Sequence, residues 1–269
     1  MARQEPELLN QKITLRLNSA AKNGDDVAFA LDLLAHCARF PPMSRPGANF
    51  VVTPQVLLRA YSIGLFPMAE DAGDDQLFWV DPEKRAIFPL EQFKVSRSLA
   101  KTIRSDRFEV RIDYDFEAVI DACAAPAADR ENTWINRDIR RLYGELYDMG
   151  FVHTVECWRE ERLVGGLYGV ALRAAFFGES MFHRETDASK VALAHLIARL
   201  RRGGYRLLDT QFMTEHLASL GAIEITRDDY HAKLAAAIEE TGNFFAWPRE
   251  QRITGAMVME TLRAPAAFP

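Results

Sequence analysis

Between Phe151 and Met213 three apolar stretches, FVHTVECWRE, RLVGGLYGVAL and RAAFFGESMF, run on with only Glu160-Glu161 and the neighbourhood of Leu172-Arg173 to turn on. Connections that short allow antiparallel pairing and little else. The next apolar segment has another period. In DASKVALAHLIARLRRGG, Leu193, Leu196, Ile197 and Leu200 recur at helical spacing, Asp187 or Ser189 can cap the start, and Gly203-Gly204 ends it. A further strand, YRLLDTQFM over 205–213, comes next, then a short helix and the segment IEITRDDYHAKLAAAIEE. A strand, a long helix and a strand imply a crossover within one sheet. The predicted fold class is therefore α/β (α+β), with a mixed, mainly antiparallel sheet in the second half and a small α/β domain before it.

The first half is read from its punctuation. Thr53-Pro54 is an N-cap with proline at the first helical position, and Gly64 stops the helix after Val56, Leu57, Ala60 and Ile63. FWVDPEKRAIFPL, 78–90, reads as two short strands around Asp81-Pro82; 94–106 as a helix, 107–113 as a strand, 115–124 as a helix closed by Pro126, and 132–150 as a helix ending at Gly150. Residues 1–45 are polar and weakly periodic apart from a possible helix in VAFALDLLAHCARF. The expected organisation is an N-terminal extension over 1–45, partly disordered or loosely docked, a small domain over 46–106, the main domain over 107–240 and a tail over 241–269 whose helix docks on the core.

Composition excludes several classes. A formal net charge of −5 argues against a uniformly basic nucleic-acid binder, so any basic patch must be local. Cys37, Cys123 and Cys157 are widely separated and outside C-x-x-C spacing, which suggests neither a disulfide framework nor a cysteine metal site; a reducing cytoplasm fits. No signal-peptide-like or membrane-spanning run is seen, and no phosphate-loop, dinucleotide, G-x-S-x-G or metal-binding spacing. His153 and His216 stand alone and read as core or capping histidines. No metal and no organic cofactor are expected.

Polar residues interrupt two strands that otherwise read as core. In ideal alternation Phe177, Glu179 and Met181 share one face, and Asp209 and Gln211 share another, with Cα atoms roughly 6–7 Å apart. Any one of them could meet solvent at a sheet rim; three together favour a cleft, because a buried carboxylate is costly. Arg97, Lys101 and Arg104 fall at i, i+4 and i+7, a single stripe that is either a solvated face or a phosphate contact. Trp79 and Trp134 sit beside turn signals and suit either a lid on the core or a stacking surface for a nucleobase.

The strand and helix order of the second half matches the acyl-CoA N-acyltransferase-like fold. Coenzyme-A enzymes of that fold carry glycines ahead of the crossover helix, where this chain has Arg184-Glu185-Thr186-Asp187-Ala188-Ser189, so an acyl-CoA donor is disfavoured. GLFPM at 64–68, FWVDPEKRAIFP at 78–89, VSRSL at 95–99, TWI at 133–135, LVGGLYGVAL at 163–172, FFGESMF at 176–182, ASKVAL at 188–193, LLDTQ at 207–211 and HLASLGA at 216–222 together resemble the bacterial leucyl/phenylalanyl-tRNA-protein transferases over roughly 53–230.

The resemblance implies aminolysis of an ester: Leu or Phe leaves its charged tRNA and joins the α-amine of a protein beginning with Arg or Lys, marking it for N-end rule degradation. It places Asp209 and Gln211 at the reacting centre, the carboxylate orienting the amide and the pair assisting proton removal from the amine. Glu179 would hold the aminoacyl-adenosine or counter the basic N-terminal residue. Trp79, Trp134, Phe177 and Gly178 would surround the terminal adenosine, Leu167, Met181 and Leu193 would receive the Leu or Phe side chain, and Arg97, Lys101 and Arg104 would hold the acceptor stem. The partners implied are Leu-tRNA, Phe-tRNA and basic N-termini, with a monomeric enzyme and no membrane. One departure bears on the acceptor: better-known members continue V-L-N-D-H-T after D-x-Q, and this chain has Phe212-Met213-Thr214-Glu215-His216-Leu217. Leucyl transfer to N-terminal Asp or Glu is the alternative within the class.

Overall fold

The computed structural model describes residues 12–14, 52–74, 77–126 and 133–264; the helix expected within VAFALDLLAHCARF and most of the expected extension lie outside them. The chain divides into two compact units, one of residues 1–82 with 124–146, the other of residues 83–123 with 147–269. This differs from the division read from the sequence, which ran the first domain to residue 106. Strand pairing is the reason: the segment after Asp81-Pro82 is held by strands late in the chain.

In the first unit, strand β1 (Lys12–Thr14) pairs antiparallel with β3 (Phe78–Val80), which also pairs with β2 (Phe66–Met68). Helix α1 (Pro54–Ser62) starts as its sequence predicts: Thr53 Oγ1 accepts from the Val56 N–H, and Pro54 occupies the first turn. It ends where Gly64 takes a positive φ of 89° and its N–H reaches the Tyr61 carbonyl. The Tyr61 and Tyr143 hydroxyls hydrogen-bond to each other within this unit.

The second unit is built on a seven-stranded sheet ordered β10-β4-β9-β8-β7-β6-β5, comprising β4 (Lys84–Phe88), β5 (Glu109–Ile112), β6 (Val152–Arg159), β7 (Arg162–Leu172), β8 (Ala175–His183), β9 (Leu207–Gln211) and β10 (Ile223–Thr226). Every neighbouring pair is antiparallel except β8 and β9, which run parallel. The β6 to β7 turn uses Glu160 and Glu161, with φ of 50° and 57°, the two-residue hairpin geometry that matches strand twist. β10, hidden in a segment that the sequence left unassigned, forms the far edge.

The remaining helices are α2 (Arg97–Arg104), α3 (Phe116–Ala124), α4 (Arg137–Asp148), the crossover α5 (Ala188–Arg202), α6 (Glu215–Leu220), α7 (Arg227–Glu239) and α8 (Gly255–Arg263). α5 packs on β6, β7 and β8, with α2 and α8 against it. Leu193, Leu196, Ile197 and Leu200 are buried there, and removing each from water contributes about 1.5–3 kcal/mol. The tail therefore does supply a docked helix: an added Cβ at Gly255 would fall on the Ile103 carbonyl, and the Arg201 guanidinium donates to the carbonyls of Leu262 and Ala264 at the end of α8.

Candidate active site

β8 and β9 pair in parallel through Ala175↔Leu207, Phe176↔Leu208 and Phe177↔Asp209, and there the pairing stops. Beyond it lie the carboxyl ends of both strands, the position at which α/β sheets open a crevice for ligands. Burial changes at the same point: Ala175–Phe177 are buried, whereas 178–181 are half-buried. Two bulges frame this parting. On β8 the register steps from Gly169↔Gly178 to Tyr168↔Ser180, so Glu179 is the extra residue of a β-bulge. On β9 it steps from Ile87↔Asp209 to Ala86↔Gln211, so Thr210 is extra, and Gln211 takes a left-handed φ of 55°.

These bulges correct the face argument made from the sequence. Strict alternation does not run through Glu179 or from Asp209 to Gln211, because each bulge inserts a residue and turns the strand. What joins Asp209 to Gln211 is a hydrogen bond, from the Gln211 backbone N–H to Asp209 Oδ1 at 2.9 Å.

Asp209 is fully buried and has four donors. Arg85 grips it from β4 with Nε on Oδ1 at 2.9 Å and a terminal nitrogen on Oδ2 at 2.7 Å; the Tyr230 hydroxyl of α7 donates to Oδ2 at 2.9 Å; Gln211 N–H completes Oδ1. Arg85 and Tyr230 are themselves 0% exposed, and the guanidinium carbon lies 4.3 Å from the Tyr230 ring centroid. A carboxylate has about four lone-pair sites, and all are occupied here, so Asp209 has no acceptor site left for a substrate group. The uncommitted group is the Gln211 carboxamide, whose Nε2 is buried with no hydrogen-bond partner among the described residues. Neither Arg85 nor Tyr230 was singled out from the sequence. The one signal was a cation immediately before the apolar Ala86, Ile87 and Phe88 in a strand.

The other expected site residues separate into three groups. Phe177 is fully buried opposite Asp209, and Gly178 has room for a Cβ, with Asp209's carbonyl oxygen at 3.5 Å. Leu167 and Met181 are cross-strand partners, but Leu167 and Leu193, each 3% exposed, belong to the main core, and Met181 packs partly against it. Trp79 is 0% exposed at the centre of β3, so its ring faces cannot stack on a base in this state; its Nε1 has no partner among the described residues. Strand pairing on both edges of β3 buries it, although the neighbouring turn signals suggested an edge. Trp134 is half-buried in the loop before α4, two residues from Asn136, whose Oδ1 accepts from the Ile139 N–H and caps that helix.

The basic stripe is exposed as expected. Ser96 caps α2, Leu99, Ala100 and Ile103 turn inward, and Arg97, Lys101 and Arg104 face outward with no ion pair among the described residues. Arg97 and Arg104 rim a groove of about 420 Å³ between α2 and α8, floored by Val95, Ala100, Met259 and Leu262, and α8 adds a third guanidinium, Arg263. The sequence reading missed Arg263 because it lies in a tail whose contacts no local pattern reveals.

Other titratable groups are structural. Glu156, fully buried, accepts from the N–H groups of Tyr114 and Asp115, from Thr154 Oγ1 and from Trp158 Nε1. His153 is a buried partner of Asp113, at 2.8 Å, and stacks on Phe244. Burial, aided by the Arg199 charge, pushes His195 down to about 3, so it is neutral. Burial also lowers His216, with Lys190 and His183 adding to the effect. Among the described residues no cluster of His, Cys, Asp or Glu could hold a metal ion, and no helix is long and apolar enough to cross a membrane. Asp187 stands at the N-cap of α5 with φ 70°, its carboxylate taking Lys190 Nζ at 3.0 Å and Thr102 Oγ1 at 3.3 Å. A carboxylate beside the first turn of α5 repels a pyrophosphate there, in keeping with the absence of the glycines that an acyl-CoA donor would use.

The comparisons with known proteins place a boundary near the same point, after residue 83. The model of the leucyl/phenylalanyl-tRNA protein transferase N-terminal domain matches residues 51–83, and that of the leucyl/phenylalanyl-tRNA protein transferase itself matches residues 87–235. A leucyl/phenylalanyl-tRNA-protein transferase of Afipia carboxidovorans is 55% identical over 224 residues, covering 83% of this chain and 99% of that relative. One from Rhodopseudomonas palustris strain HaA2 is 56% identical over 221 residues, 82% and 99% of the two chains, and one from Paramagnetospirillum magneticum is 59% identical over 193 residues, 72% and 92%. With both units matched and relatives aligned over nearly their whole length, the chain belongs to the leucyl/phenylalanyl-tRNA protein transferase family.

Proposed function

We propose that this enzyme transfers Leu or Phe from charged tRNA to the α-amine of proteins that begin with Arg or Lys, in the cytoplasm and as a monomer. The amine nitrogen attacks the ester carbonyl, a C–N bond forms, the bond to the terminal ribose oxygen breaks, and that hydroxyl leaves carrying a proton. Holding the two reactants together removes much of the barrier, and a polar group at the carbonyl removes more.

The observation that carries the assignment is the contrast at the parting of β8 and β9: Asp209 is saturated by four donors, and Gln211 offers a buried amide nitrogen with no acceptor among the described residues. An amide N–H donates, so the missing partner is an acceptor, and the aminoacyl carbonyl oxygen as it gains negative charge fits. In this reading Gln211 polarises the ester and Asp209 acts through it, in place of a carboxylate base. Glu179, half-buried on the β8 bulge, meets the positive side chain or α-ammonium of the acceptor protein. Trp134 serves the terminal adenosine, and Arg97, Lys101, Arg104 and Arg263 contact acceptor-stem phosphates.

The test is transfer of radiolabelled Leu and Phe from charged tRNA to peptides differing only in their first residue. Arg- and Lys-initiated peptides should take the label. Labelling of Asp- or Glu-initiated peptides instead would overturn the acceptor assignment, and no labelling would overturn the reaction.

A further inference from the structure

We propose that Arg85 and Tyr230 are positioning residues of the transfer reaction: acting through Asp209, they hold the bulge that presents the Gln211 carboxamide at the parting of β8 and β9. The inference rests on the reading that Gln211 meets the reacting ester.

Three observations lead here. A non-glycine residue in the left-handed region is strained and persists where its surroundings over-determine it. Gln211 has φ 55°, and its N–H is tied at 2.9 Å to Asp209 Oδ1, the oxygen that Arg85 Nε also holds at 2.9 Å. The second oxygen is held by Arg85 at 2.7 Å and by the Tyr230 hydroxyl at 2.9 Å, and Arg85 also donates to that hydroxyl at 3.1 Å. The carboxylate thus has neither a free oxygen nor freedom to rotate. Its three holders come from β4, β9 itself and α7, elements joined only by the fold.

A buried ion pair is a poor device for stability, since apolar residues of similar volume often serve as well; its known use is to specify one geometry. Arg85 and Asp209 are both 0% exposed, and the geometry they specify is the start of the Gln211 bulge. Finally, Arg85 and Tyr230 are fully buried, which leaves them no surface with which to touch substrate.

The experiment is a double-mutant cycle of Tyr230→Phe and Gln211→Ala, read as single-turnover and steady-state transfer of leucine from charged tRNA to an Arg-initiated peptide. Tyr230→Phe keeps the ring and the two-pronged Arg85 grip and removes the hydroxyl's hydrogen bonds, the one it donates to Asp209 and the one it accepts from Arg85. It is expected to lower kcat about tenfold with KM for both substrates within about twofold. Gln211→Ala is expected to lower kcat about a hundredfold, and Tyr230→Phe to cost nothing further in that background. An equal tenfold loss in both backgrounds, or no loss in Tyr230→Phe alone, would overturn the positioning role while leaving the Gln211 assignment standing. Wild-type rates in Gln211→Ala would overturn that assignment first, and this proposal with it.

Discussion

Replacing Arg85 by Met removes the guanidinium while keeping a long unbranched side chain, so the loss is charge compensation more than volume. Asp209 would drop from four donors to two, the Gln211 N–H and the Tyr230 hydroxyl, both at 2.9 Å, while remaining enclosed. Breaking a buried pair from one side costs about 3–5 kcal/mol, a large share of a typical total of about 5–15 kcal/mol. For a chain of this size that corresponds to a fall in melting temperature of about 6–20 °C, at about 2–4 °C per kcal/mol. Thermal and urea unfolding followed by circular dichroism would measure it. Adding Asp209→Asn to Arg85→Met removes the stranded charge and keeps an oxygen for the Gln211 N–H, so much of the stability should return with an unchanged urea slope. Transfer should stay low in the double variant, because the two-pronged grip is still missing. A loss below about 1 kcal/mol in Arg85→Met, or no recovery on adding Asp209→Asn, would refute the account of a desolvated pair held for geometry.

Reversing Arg97 and Lys101 to Glu, and separately Arg263 to Glu, should weaken binding of charged tRNA and reduce the slope of log K against log salt by about 0.7–0.9 for each phosphate that is no longer neutralised; slopes equal to wild type would remove those residues from the interface. His195 is held neutral in the fold, its pKa down at about 3 against 6.5, so the unfolded chain binds the extra proton as the pH falls. Stability from this residue is therefore full above the unfolded value and is lost progressively below it, by up to about 2 kcal/mol between pH 7 and 5. Unfolding of His195→Gln should be less sensitive to that change, and identical pH dependence in the two proteins would discount the buried histidine.

Much of the framework was legible because its signals are local. The cap at Thr53-Pro54, the stops at Gly64 and Gly203, the turn at Glu160-Glu161 and the helical period of Leu193, Leu196, Ile197 and Leu200 each depend on residues a few positions apart, and each appears in the fold. The stripe of Arg97, Lys101 and Arg104 was exposed as its spacing required. The motif set over 53–230 identified the family, and it pointed to Asp209, Gln211 and Glu179 without saying how they are held.

The tertiary structure decided the holding. Arg85 and Asp209 are 124 positions apart and meet only because β4 pairs with β9, a pairing that no local period encodes. Long-range pairing of the same kind carries residues after Pro82 into the second unit and encloses Trp79, and the docking of α8 brings Arg263 to the groove at α2. Alternation is a rule for regular strands, and it fails where a bulge adds a residue, as at Glu179 and Thr210. Sequence alone determined most of the long helices and strands and the family they belong to, because propensity, capping and amphipathic period act over a few residues, while short strands such as β10 appear only through their partners. Which charges are buried, which are saturated and which buried amide is left without a partner among the described residues was settled by partners distant in the chain, since desolvation and hydrogen-bond satisfaction exist only once the fold has closed around them.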